Sequence, residues 1–485
     1  MIRLTLAEVA EAVGGQLISP NGDASDSLEV TASVETDSRL IETGSLFFAK
    51  PGEVTDGHLF VGRAAESGAV ASVVEHLVPT VFDHPQIIVD DVVAALGKLA
   101  AAVLARVRSV GNLKVIGVTG SNGKTTTKNL LRSILSQVGP TVAPIESYNN
   151  EVGAPISILK IDFETRFLVA ELGAGGVGSI RYLAEMIQPD IGVLLKVGLA
   201  HVGEFGSIET TAKIKGELLD VLAEQAAAGH SSQLVANLDD SYVREQVSKH
   251  PNLNVTWFGT NPDSDYRSLR PEISLEATSF GLVWPQTAGE STDNSQTVTL
   301  QILGEHHVMN ALAAIAVADL LEVPRPDIIE AVQALGLAER WRMQVLKRGD
   351  GVTIINDAYN ASPDSMKAAL QTLAQLGRAG HRTIAVLGEM AELGQFSRAE
   401  HDAIGRLVVR YNIDQLVVVG QGARLIHMGA SLEGSYDGES KFFESASEAL
   451  AYLRGMLSEG DIVLVKSSKS ANLRHLGDDL LEVSA

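Results

Sequence analysis

Cysteine is absent from the 485-residue chain. Disulfides, thiolate nucleophiles and cysteine-based zinc sites are therefore excluded, and a reducing cytoplasm is the expected compartment. Apolar runs long enough to cross a bilayer are missing as well, so no stable membrane insertion is expected. Nor does the start read as a signal peptide, because Met1-Ile2-Arg3-Leu4 leads straight into an amphipathic stretch carrying Glu8 and Glu11. Positive charge is scarce: 38 Lys and Arg stand against 60 Asp and Glu, a formal net charge of −22. Such a surface repels phosphate backbones and argues against a nucleic-acid partner. Small anionic substrates stay open if local cations and Mg²⁺ reverse the field inside a cleft. Internal repeats and low-complexity tracts are also lacking. A composition that is 45% hydrophobic and 20% charged describes an ordinary globular protein, of about two to four domains at this length.

The most informative stretch is Gly117-Val118-Thr119-Gly120-Ser121-Asn122-Gly123-Lys124-Thr125-Thr126. The apolar run Leu113–Ile116 precedes it, and Leu130, Leu131, Ile134, Leu135 and Val138 follow at helical spacing. A strand, a glycine turn and a helix opening on Lys-Thr make a phosphate cradle. Backbone N–H groups close around the anion, and the helix N-terminus adds partial positive charge. Lys124 would reach the terminal phosphates and Thr125 would hold Mg²⁺. The usual pattern has glycine where Val118 stands, so this is a T-G-S-N-G-K-T variant. The expected ligand is a nucleoside triphosphate.

Taken in order, residues 1–88 predict a small α/β unit, with a helix over Thr5–Val13 and strands at Leu28–Val34, Ser45–Ala49, Val70–Val74 and Gln86–Val89. Its polar clusters include Ser38; Arg39 and Lys50 suit a diphosphate, and Asp37 and Asp56 a sugar or base, as well as all of them suit capped turns with solvated charges. The helix Val92–Val107 leads into a central domain, 89–336, where strands alternate with helices as in a mostly parallel sheet. Phe167–Glu171 is an apolar strand ending in a carboxylate, the usual place for a residue serving nucleotide-bound Mg²⁺. The next strand, Ile191–Val197, leads to His201, a metal ligand or an ordinary surface histidine. Asn149 and Asn150 suit a polar ligand or a turn, while Lys213 and Lys215 lie on a helix. Residues 253–303 read as an antiparallel insertion or flank of this domain, and Asn310 precedes the alanine-rich helix Ala311–Leu321. The third domain, 337–485, predicts a Rossmann-like fold with strands at Val352–Ile355, Thr383–Leu387, Gln415–Val419 and Ile462–Val465. Asn356-Asp357-Ala358-Tyr359-Asn360-Ala361-Ser362-Pro363 and Gly388-Glu389-Met390-Ala391-Glu392-Leu393-Gly394 sit at its strand ends, where ligands gather. The expected fold class is thus α/β in three domains, with a P-loop ATPase at the centre.

These segments together resemble the ATP-dependent Mur ligases. The phosphate loop, the A-H-V-G-E-F-G-S stretch from Ala200, the H-x-x-x-N-A-L-A-A helix start and N-D-A-Y-N-A-S-P carry the likeness. D-S-R…F-F-A-K-P-G…D-G-H and G-E-M-A-E-L-G resemble the D-alanyl-D-alanine-adding, MurF-type members more narrowly. The resemblance implies a UDP-MurNAc-peptide domain, an ATP domain and a D-Ala-D-Ala domain in that order. It implies ATP and Mg²⁺, two ions, and ligation through an acyl phosphate for peptidoglycan synthesis, by a monomer. Gly120, Ser121, Asn122, Gly123, Lys124, Thr125 and Thr126 would cradle phosphate, with Asn310, Arg342 and Asp357 completing the nucleotide site. Glu171, His201 and Lys215 match metal residues, Lys215 as a carbamate, with Lys213 the alternative for the modified lysine. Lys124, Glu171, His201, Lys215 and Arg342 would carry the catalysis. Ser38, Arg39 and Lys50 would meet UDP, Asn149 and Asn150 the muramyl peptide, and Tyr359, Asn360 and Ser362 the incoming dipeptide. The chain departs from the family pattern at Leu195-Lys196, at His307, at Trp341 where glycine is common, and at Lys466-Ser467-Ser468-Lys469. Another Mur-type or folylpolyglutamate-type ligase is the nearest alternative, although Asn360-Ala361-Ser362-Pro363 replaces the D-N-P-R of the diamino-acid-adding type. A nucleotide-dependent switch is the alternative of a different class.

Overall fold

The computed structural model describes residues 1–19, 25–52, 55–144, 148–286, 295–336, 339–434 and 439–482. Among these, three larger sheets and one two-stranded pair form, all within an α/β architecture. The expected break at 336/337 falls on 337–338, and Ser147 beside Asn149 falls on 145–147; both lie outside the described residues.

The first helix, Leu6–Val13, starts where a capping box dictates: Thr5 accepts from the Glu8 amide, and Glu8 reaches back to the Thr5 amide. It ends on Gly14 in the left-handed conformation. Beside it lies a five-stranded sheet ordered Gln16–Ile18, Gln86–Ile88, Ala71–Val74, Leu46–Phe48 and Val34–Glu35, parallel except at the first pair. The predicted strand Leu28–Val34 is two short pieces, Glu29–Val30 and Val34–Glu35, in different sheets. The connecting helix runs Val92–Val110, three residues past expectation, and its buried face joins Leu6 and Val9 to Ile180 and Leu183 in one core.

A nine-stranded sheet forms the centre. From Thr141–Val142 through Phe167–Glu171, Lys114–Thr119, Ile191–Leu194, Gln233–Asn237 and Asn254–Gly259 to Tyr266–Ile273 every pairing is parallel. Among the described residues, only Thr278–Val283 and Ser295–Leu300 add antiparallel pairings. The segment 253–303 is therefore half a continuation of the parallel sheet rather than an antiparallel unit throughout. The strand predicted over Ile191–Val197 stops at Leu194. Beyond it the Lys196 carbonyl accepts from Ser121 N at 2.7 Å, so the chain has turned to brace the phosphate loop. The alanine-rich helix starts at Glu305 instead of Ala311 and places Ala311–Ala318 against Leu130, Leu131 and Ile134 of the helix Lys124–Leu135. Small residues allow that close approach, and each buried leucine contributes about 2 kcal/mol.

The third sheet is ordered Gln344–Lys347, Thr353–Asn356, Ile462–Lys466, Thr383–Leu387, Gln415–Val419 and Ser440–Phe443. The four inner strands match expectation within a residue. Its two edges, Gln344–Lys347 and Ser440–Phe443, have no counterpart in the sequence reading; both are only four residues long and incompletely buried.

Candidate active site

Lys114–Thr119 is the strand from which the sheet order runs both ways, with Phe167–Glu171 on one side and Ile191–Leu194 on the other. The crevice at the carboxyl ends of such strands is where ligands bind. The phosphate loop lies there. Gly123 caps the following helix at φ 89°, and a Cβ on it would strike the Asn310 amide, so glycine is required on both counts. The Lys124 ammonium donates to the Gly120 carbonyl at 2.8 Å, folded back over its own loop.

Thr125 Oγ1 lies 3.2 Å from a carboxylate oxygen of Glu171. Glu171 is 1% exposed, and its other oxygen accepts from Asn149 Nδ2 at 2.8 Å. A buried carboxylate held by neutral donors beside a threonine hydroxyl suits a hard cation with oxygen ligands. Lys215 and His201 line the same cleft, which encloses about 360 Å³. Lys215 is buried, whereas Lys213, two residues earlier on the helix, points into solvent. Burial first, then the neighbouring Lys124 ammonium, pushes the Lys215 amine well below the ordinary lysine value. Burial also lowers Lys124, and it lowers His201 with help from both lysines.

The third domain closes the cleft. Arg342 Nη2 donates to Thr125 Oγ1 at 3.3 Å, its Nε donates to Glu339 at 2.9 Å, and its guanidinium lies 4.0 Å over the Tyr359 ring. Asp357 accepts from Met343 N at 2.9 Å and from the Lys466 ammonium. Lys466 also donates to the Asn360 carbonyl at 3.1 Å. Ser362 caps the helix Pro363–Gly377 and donates to Asn122 Oδ1 at 3.2 Å, a direct bond from the third domain to the phosphate loop. Lys124, Arg342 and Lys466 thus gather basic side chains around one cavity in a chain of −22 net charge.

Buried polar atoms left without partners mark where a ligand belongs. Asn122 Nδ2 and His307 Nε2 are such atoms, and both residues line the cleft. Burial holds the His307 imidazole neutral, so that ring offers hydrogen bonds and no charge.

Most of the expected residues meet here: the phosphate loop, Glu171, His201, Lys215, Asn149, Asn150, Asn310, Arg342, Asp357, Tyr359, Asn360 and Ser362. Asn149 is engaged with Glu171, and Asn150 accepts from Gly153 N at 2.8 Å to start a short helix. Ser38, Arg39 and Lys50 do not meet them. They belong to the five-stranded unit, where Arg39 clasps Asp37 on the exterior and holds that carboxyl below its usual range. Sequence reasoning missed Lys128, Glu339 and Glu392 as parts of the site's frame. Lys128 is 1% exposed and donates to the Pro144 carbonyl at 3.0 Å and Glu339 at 3.3 Å. Nothing in a helical Lys at that position signals burial. Glu392 lay in a segment already singled out, and only its partner was hidden.

A phosphate loop on a parallel sheet, a buried acid beside its threonine and a third domain that turns Arg342 and Lys466 into the same cleft define an ATP-dependent ligase. The comparisons agree. The Mur ligase middle domain matches residues 118–318, the Mur ligase glutamate ligase domain 341–469, and the Mur ligase family catalytic domain 31–103. The UDP-N-acetylmuramoyl-tripeptide–D-alanyl-D-alanine ligase of Mycobacterium bovis is 40% identical, over 99% of this chain and 98% of its own. MurF from Acinetobacter baumannii superimposes with a TM-score of 0.85 at 30% identity, covering 99% of both chains. MurF from Thermotoga maritima, determined in complex with ADP, gives 0.77 at 26% identity, over 93% of this chain and 97% of its own. The chain belongs to the Mur ligase family, in its MurF branch.

Proposed function

We propose that this chain joins D-alanyl-D-alanine to UDP-MurNAc-tripeptide at the expense of ATP, giving the pentapeptide precursor of peptidoglycan. Full-length likeness to ligases of that name supports the substrates. The observation that carries the chemistry is the meeting of Arg342, from the third domain, with Thr125 and Glu171 of the phosphate site.

A carboxylate resists an amine because its charge repels the nucleophile and oxide leaves poorly. Its oxygen first attacks the γ-phosphorus, ADP departs, and an acyl phosphate forms. The dipeptide amine then adds to the acyl carbon, phosphate leaves, and the amine proton passes to water. An amine with a pKa of about 8 is sufficiently neutral near pH 7. Gly120, Ser121, Asn122, Gly123 and Thr126 orient the phosphates, Lys124 and Arg342 neutralise their charge, and Asn310 and Asp357 hold the nucleoside. Thr125, Glu171, His201 and Lys215 would hold Mg²⁺, two ions, Lys215 after its neutral amine captures CO₂ as a carbamate. Bound there, Mg²⁺ would neutralise charge developing between the γ-phosphate and the carboxylate. Asn149 and Asn150 face the muramyl peptide; Tyr359, Asn360 and Ser362 face the dipeptide. Ser38, Arg39 and Lys50 take the UDP moiety on the N-terminal unit.

The enzyme works in the cytoplasm as a monomer. Among the described residues no helix is long and apolar enough to cross a membrane. The test is phosphate release from ATP with both substrates, either one alone, or D-alanine in place of the dipeptide. Release that requires both substrates and disregards single amino acids supports the reading; release with ATP alone contradicts it.

A further inference from the structure

Glu392 and His201 face each other across the boundary between the third and central domains, each with a left-handed backbone (φ 63° and φ 60°). That conformation is costly for residues with a Cβ and persists where the surroundings over-determine it. Here each supplies the other's support. His201 Nδ1 lies 2.7 Å from Glu392 Oε2, and the Glu392 carbonyl accepts from Gly203 N at 3.0 Å. The two loops touch so closely that a Cβ on Gly203 would strike the Leu393–Gly394 peptide. Glu204 lies 3.8 Å from the same nitrogen, beyond hydrogen-bond range.

We propose that Glu392 is a positioning residue for His201: by accepting its Nδ1–H, Glu392 leaves Nε2 with the free lone pair. The assignment rests on the ligase reading, in which His201 is a metal ligand. A ring nitrogen can ligate only when unprotonated, and the bond made by the other nitrogen decides which one that is. Glu392 comes from the third domain and His201 from the central one, so this bond ties the His201 tautomer to the contact between the two domains. Glu392 itself need touch neither ATP nor dipeptide.

The experiment uses the full chain and its Glu392→Ala, Glu392→Gln and Gly203→Ala variants. Imidazole nitrogen NMR of His-labelled protein reads the His201 tautomer, with the signal assigned by its loss in His201→Gln. Electron paramagnetic resonance reads Mn²⁺ binding in the presence of a non-hydrolysable ATP analogue. Glu392→Ala is expected to release the Nδ1–H tautomer and weaken Mn²⁺ by about 10- to 100-fold. Glu392→Gln keeps an acceptor and should restore the tautomer and most of the affinity, which mere loosening of the interface would not explain. Gly203→Ala, with both side chains intact but the loops wedged apart, should behave as Glu392→Ala does. An unchanged tautomer and unchanged Mn²⁺ affinity in Glu392→Ala would overturn the assignment alone. A parent chain that binds no Mn²⁺ with the analogue would overturn the metal reading beneath it.

Discussion

Arg342 of the third domain donates to the Thr125 hydroxyl of the phosphate loop at 3.3 Å while its Nε is held by Glu339 at 2.9 Å. The arginine is thereby aimed at the phosphate loop, through a short chain of bonds that runs from Lys128 through Glu339 and Arg342 to Thr125. A guanidinium delivered to the γ-phosphate in this way stabilises charge that grows in the transition state. Arg342→Ala should lower kcat by about 10³-fold with a much smaller change in the KM for ATP. Arg342→Lys should recover little, because a point charge cannot bond Glu339 and Thr125 at once while lying over Tyr359. Steady-state kinetics check both.

Lys128→Met should destabilise the fold by about 3 kcal/mol. The lysine is buried, and its removal leaves Glu339 and the Pro144 carbonyl without their shared donor. The measurement is urea unfolding, with a lower midpoint and an unchanged slope. Because Glu339 then loses its anchor, kcat should fall too, even though Lys128 is not among the residues that line the cleft.

Gly123→Ala should weaken ATP binding by at least about tenfold. The left-handed backbone costs a residue with a Cβ about 1–2 kcal/mol, and that Cβ also displaces the Asn310 amide. Calorimetric titration with an ATP analogue reads the loss, and circular dichroism should show the fold retained.

Acid stability should depend on His84, in the N-terminal unit. Burial lowers this imidazole to about 4, while Ser72 Oγ shares a hydrogen bond with its Nε2 at 2.9 Å. Unfolded, it titrates near about 6.5, so between these values the unfolded chain binds a proton that the folded chain refuses. Stability is then full above pH ~6.5 and falls as pH drops toward ~4, by about 3 kcal/mol in all. Unfolding curves across that range should lose most of this slope in His84→Gln.

Much of the fold could be read from the residues, for identifiable reasons. Thr383–Leu387 and Gln415–Val419 are buried on both faces, so their apolar runs are unbroken and their limits clear. The capping box at Thr5 and the glycine loop at 120–123 are local signals of the same kind. What stayed illegible depends on partners distant in sequence. Gln344–Lys347 becomes a strand only by pairing with Thr353–Asn356. Lys128 looks solvated until Pro144 and Glu339 close over it. Trp341, where glycine is common, keeps a left-handed backbone at φ 62° and spends its indole N–H on Asp478 at 3.0 Å, tying the site's arginine loop to the C-terminal helix Arg474–Asp479. Arg39 is a further case: its ion pair with Asp37 on the outer surface could not be told from the sequence.

The most direct measurement follows oxygen. UDP-MurNAc-tripeptide carrying a heavy-oxygen label in its acceptor carboxylate is turned over with ATP and D-alanyl-D-alanine, and the released phosphate is analysed by mass spectrometry. One labelled oxygen per phosphate is expected, because the carboxylate oxygen that captures the γ-phosphoryl group leaves with it. Phosphate without label, beside a fully formed amide product, would contradict activation through the acyl phosphate.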